Sequence, residues 1–143
     1  MKKLIISAML LTTTTLFAGE GWLTDFTKAQ EQAKQQNRPI LMDFTGSDWC
    51  GWCVKLDKDT FSKPAFQDFA KEHLVLMEVD FPKSKSQSPE TAAQNKELSE
   101  KFGVRGFPTL VLLGSDGKEL AKRSGYLAGG PDAMIQWIKE AKK

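Results

Sequence analysis

Cysteine is scarce in this chain: 143 residues hold two, Cys50 and Cys53, and histidine occurs once, as His73. A structural zinc site needs four nitrogen or sulfur donors, and with no second C-x-x-C and no histidine pair a metal site is not expected. His73 lies in an ordinary amphipathic stretch near a helix end, and nothing in the sequence places it beside a cysteine, so a Cys-His hydrolase pattern is also missing. Blocks of like charge are absent too. Lysines alternate with acids, there is no basic stripe interleaved with aromatics, and nucleic acid is therefore not an expected partner. The one long apolar run, Leu4 to Leu11, is short for a bilayer span, and the chain shows no internal repeat and no domain-sized linker.

What is present begins with that apolar run. Met1-Lys2-Lys3 is a positive start, Leu4 to Leu11 an apolar centre, and Leu16-Phe17-Ala18 a cleavage end, so residues 1–18 read as a signal peptide and residues 19–143 as the domain. No cysteine follows the run to take a lipid, so no membrane anchor is expected after cleavage, and the localisation implied is periplasmic or otherwise exported. Removing 1–18 takes away Lys2 and Lys3 and no acid, which leaves 18 basic against 18 acidic side chains. In an oxidising compartment a cysteine pair can be a structural staple, but staples act by closing long loops. A bridge from Cys50 to Cys53 closes a very short one.

Periodicity gives a helix capped by Thr24 and running from Asp25 to Gln36, then a buried strand Ile40-Leu41-Met42-Asp43-Phe44. Turn residues Thr45 to Asp48 lead to Trp49, and a helix starts at Cys50. A further helix starts at Ser62 and Pro64, and a strand runs from Leu74 to Asp80. Another helix begins at the capping-box pattern Thr91 to Gln94 and ends at Gly103. Strands Thr109–Leu113 and Glu119–Arg123 form a hairpin, and Gly129-Gly130-Pro131 opens a last helix. The expectation is an α/β fold with a central mixed four-stranded sheet and helices on both faces.

Two features carry chemistry. A strand, a turn and then Trp49-Cys50-Gly51-Trp52-Cys53 put Cys50 at a helix N-terminus, where free backbone N–H groups and the helix dipole stabilise a thiolate. Cys53, one turn on, can resolve a mixed disulfide formed by Cys50. Asp43 is a carboxylate inside a buried strand; it either carries a raised pKa suited to proton transfer or is neutralised by a lysine or a backbone N–H.

These residues resemble the thioredoxin family. Asp43-Phe44, the WCGWC motif and Gly106-Phe107-Pro108-Thr109 carry the resemblance. The turn before Trp49, Val79-Asp80-Phe81-Pro82, Asp116-Gly117-Lys118 and Gly125-Tyr126 make it closer to exported bacterial thioredoxin-like domains. The resemblance implies a thioredoxin-like fold, Cys50 as nucleophile, Cys53 as resolving cysteine and Asp43 as the buried acid beneath the disulfide. Pro108 matches the family's cis-proline, and Trp49, Gly51, Trp52 and Phe107 would join it in the substrate-binding surface. Trp52 stands where a proline is usual, which leaves the direction of electron flow open. The implied protein is a monomeric thiol-disulfide oxidoreductase without cofactor, exchanging electrons with client proteins that carry thiols or disulfides and with a redox partner protein. The rival is a non-catalytic binding or chaperone-like module using the same apolar surface.

Overall fold

Strand β2 (Ile40–Thr45) lies at the middle of the sheet, and its run of apolar residues accounts for that position, since both of its faces are covered. The computed structural model describes residues 21–143. Residues 1–18, read as a signal peptide, lie outside the described residues. Around β2 the order is β1 (Trp22–Leu23), β3 (Val75–Asp80), β2, β4 (Thr109–Leu113) and β5 (Glu119–Ser124). β2 pairs in parallel with β3 and antiparallel with β4, and β5 is antiparallel to β4.

The sheet thus has five strands where four are expected from the sequence. The additional one, β1, holds two residues paired with Leu76 and Met77 of β3. Two residues carry no alternation, so periodicity has nothing to detect.

The pleat sorts side chains onto two faces. Ile40, Met42 and Phe44 of β2 join Val75, Met77 and Val79 of β3 in a core closed by Ala29 and Ala33 of α1 (Phe26–Gln36) and by Leu98 of α4 (Pro89–Lys101). On the other face Leu41, Leu76, Leu110 and Leu112 pack against α2 (Gly51–Leu56), α3 (Pro64–His73) and α5 (Gly130–Ala141), which contribute Leu56, Phe66 and Met134. Asp43 alternates with Met42 and Phe44, so it faces the α2 side.

Three helix starts differ from expectation. Asp25, not Thr24, caps α1, its carboxylate accepting the Lys28 N–H at 3.0 Å. Ser88, three residues before the expected cap Thr91, caps α4 and accepts the Thr91 N–H at 3.1 Å; Pro89 at the first helical position fixes this start. Ser62 closes the preceding turn rather than opening α3. That turn, Asp57–Phe61, is a π-helical continuation of α2, marked by the Ser62 N–H donating to the Asp57 carbonyl at 2.8 Å. Gly103, at φ 62°, ends α4 as expected.

Candidate active site

Cys50 is the residue immediately before α2, in extended conformation, and its Sγ accepts the Cys53 N–H at 3.2 Å. The cysteine sulfur thus performs the role that a serine or aspartate oxygen performs at ordinary helix starts. Its own N–H donates to the Gly46 carbonyl at 2.8 Å, which fixes the turn that delivers it. Cys50 and Cys53 are joined by a disulfide, with Cα atoms 5.2 Å apart. Both are buried, at 7% and 5% exposure.

Asp43 and Cys53 line one cleft of about 380 Å³, together with Asp57 and Glu78. Asp43 Oδ1 is enclosed and has no hydrogen-bond partner among the described residues, so neither a lysine nor a backbone N–H among them neutralises that oxygen. Burial first, and then the charges of Glu78, Asp57 and Asp80, raise the Asp43 pKa well above its ordinary value of 3.8. Glu78 is its cross-strand neighbour on β3 and is itself raised, by burial and then by Asp80.

The motif's two tryptophans are the largest exposed apolar surfaces beside the disulfide, Trp49 at 41% and Trp52 at 59%. Trp49 Nε1 donates to the Phe81 carbonyl at 2.7 Å, its ring meets Phe107 edge-on at 5.8 Å, and Lys83 Nζ stands 4.0 Å from the indole centroid. Phe107 packs on Phe81 at 5.1 Å, so the residue before Pro108 is tied to the turn before Cys50. The Phe107-Pro108 peptide bond is cis, as the resemblance implies. Pro108 is buried, and its carbonyl is already taken by the Gly125 N–H at 2.8 Å. Gly51 is exposed at the start of α2.

The strap from Phe81 to Ser88 is fastened to this turn by two acids, Asp48, expected only as a turn residue, and Asp80, expected only as the end of a strand. Asp48 accepts the N–H groups of Lys83, Ser84 and Lys85 at 3.0, 2.7 and 2.9 Å. Asp80 accepts from Ser47 N–H at 2.9 Å and Oγ at 2.5 Å. Neither role shows in the local sequence, because these bonds span 33 to 37 residues. His73 stacks on Phe69 at 4.7 Å near the end of α3. Among the described residues no group of three His, Cys, Asp or Glu side chains is arranged to hold a metal ion.

Disulfide exchange is the chemistry this geometry serves, and thiol-disulfide oxidoreductase is the class it defines. The chain belongs to the thioredoxin-like domain family, whose model matches residues 26–142. It is 42% identical over 118 residues to the disulfide bond reductase DsbH of Chlamydia pneumoniae, covering 82% of this chain and 70% of that protein. It is 30% identical over 105 residues to the thioredoxin-related protein DsbJ of the same organism, but there it spans 73% of this chain and only 30% of the relative. A solved structure of a DsbH oxidoreductase superposes with a TM-score of 0.79 at 38% identity, covering 94% of each chain.

Proposed function

We propose that this chain is an exported protein-disulfide reductase that passes two electrons from a dithiol-bearing partner protein to client disulfides. The observation that carries the reading is the Cys50–Cys53 disulfide at the start of α2, with Cys50 Sγ receiving the Cys53 N–H. After reduction, that N–H and the helix end stabilise the Cys50 thiolate. The thiolate attacks a client S–S bond, forms a mixed disulfide and expels one client thiolate. Cys53 then attacks Cys50 Sγ, releases the second client thiolate and regenerates the Cys50–Cys53 disulfide. The client gains two protons and two electrons, and a partner dithiol restores the enzyme by the reverse exchange. Asp43 takes the Cys53 proton, a role supported by its raised pKa and by the cleft the two share. The reductive direction is supported by the likeness to a relative named as a disulfide bond reductase. Trp49, Gly51, Trp52, Phe107 and Pro108 form the surface that meets the client, and the chain acts as a monomer.

The test is turnover of a protein disulfide such as insulin with dithiothreitol as the regenerating dithiol. Cys50→Ser is expected to abolish turnover, and Cys53→Ser to accumulate client mixed disulfides seen on non-reducing gels. Undiminished turnover by Cys50→Ser would overturn the reading.

A further inference from the structure

Trp52 interrupts the usual motif, and the structure shows what holds it. Its indole lies against the Tyr126 ring at 5.5 Å between centroids, tilted by 38°. Tyr126 is fixed from two directions. Its hydroxyl donates to Asp59 Oδ2 at 2.6 Å, and the same oxygen accepts from Lys55 Nζ at 2.7 Å, with Nζ 5.3 Å from the Tyr126 centroid. Its backbone follows Gly125, whose N–H is held by the Pro108 carbonyl at 2.8 Å. Asp59 lies in the π-helical turn and Lys55 in α2, so one ring joins the helix that carries the cysteines to the segment that carries the cis-proline.

The charges in this group cancel internally. Hydrogen bonds from Lys55 and then Tyr126 lower the Asp59 pKa, and the bond to Asp59 raises that of Tyr126, so a carboxylate, an ammonium and a neutral phenol coexist across the neutral range. What remains for a client is the open face of the Trp52 indole, 59% exposed and apolar. It differs from the Trp49 side, where Lys83 lies over the ring with no acid paired to it among the described residues.

We propose that Tyr126 is a positioning residue for exchange with polypeptide clients: it holds Trp52 as a fixed apolar wall beside the disulfide, and that wall selects clients with an aromatic or aliphatic side chain next to the reacting cysteine. The inference rests on the reductase reading above. A fixed ring meets a client side chain without first losing conformational freedom, so the gain falls on binding.

The test uses two homodimeric peptide disulfides that differ only in the residue beside cysteine, phenylalanine or glycine, reduced by the full-length protein with dithiothreitol as electron source. The wild type is expected to prefer the phenylalanine peptide through a lower KM. Tyr126→Ala is expected to reduce that preference about fivefold and Tyr126→Phe about twofold, in KM rather than kcat. A preference unchanged in both variants, or an equal loss on both peptides through kcat, overturns the inference while leaving the reductase reading intact. If Tyr126→Ala does not fold, Tyr126→Phe decides alone, and an unchanged preference overturns the inference. Failure of the wild type to reduce either peptide overturns the reductase reading and this inference with it.

Discussion

At the scale of the residue, Asp43 is a costly placement, to which the proposed reaction assigns the Cys53 proton. Its folded pKa lies above the ordinary 3.8, so between those two values the folded state binds more protons than the unfolded chain. Stability therefore falls as pH rises from about 3.8 through the folded pKa and stays low above it. Asp43→Asn is expected to raise the melting temperature at pH 7, with a gain that shrinks as pH falls toward 4. The same substitution is expected to slow the resolving step about 100-fold near neutrality, the low end of what positioned proton transfer supplies. Paired thermal melts and stopped-flow exchange measure both, and a variant that is slow but no more stable would contradict the burial argument. Asp43 could be picked out in the sequence because an acid inside an apolar strand violates the pattern around it. Glu78 could not be read with the same force, since its influence comes from cross-strand register, which one strand's sequence does not contain.

At the scale of the element, the strap after β3 is held to the turn before Cys50 because Asp48 accepts three of its N–H groups. Those bonds, that from Lys83 foremost, lower the Asp48 pKa below 3.8. The stabilisation is fully present above 3.8 and is lost as pH falls through the folded value. Asp48→Asn is expected to melt earlier than the wild type at pH 7, to converge with it under acid conditions, and to raise the KM for protein disulfides as Trp49 loses the backing of Phe81 and Lys83. Equal melting temperatures at pH 7 would contradict this. Gly46 belongs to the same unit: a Cβ there would run into the Trp49 indole, so the glycine makes room for the tryptophan. None of this was legible as function, because turn composition names a turn without saying what its side chains hold. The π-helical turn was hidden for a related reason: one extra residue in a helix leaves the apolar period almost unchanged.

At the scale of the whole molecule, the order of strands and helices and the two-faced core were legible, because buried strands and glycine or proline punctuation are local signals; the cis bond before Pro108 was implied by the family resemblance alone, since a proline opening a strand admits either isomer. The two-residue β1 and the Tyr126–Asp59 bond, which spans 67 residues, were not legible. The expectation of a signal peptide at 1–18 is also a whole-molecule matter. If the chain is exported through cleavage after Ala18, the intact mass of the secreted product begins at Gly19, and a mature product that retains Met1 would reject that boundary.

Both margins of the sheet bear on whether other chains can add strands to it. β1 offers a ladder only two residues long, and β5 shows solvent Glu119, Lys122 and Arg123 along most of its length. Charged or very short edges disfavour strand-on-strand addition. A thiol-disulfide oxidoreductase built this way leaves its sulfur end open to extended polypeptides while its own sheet gives them no template for aggregation.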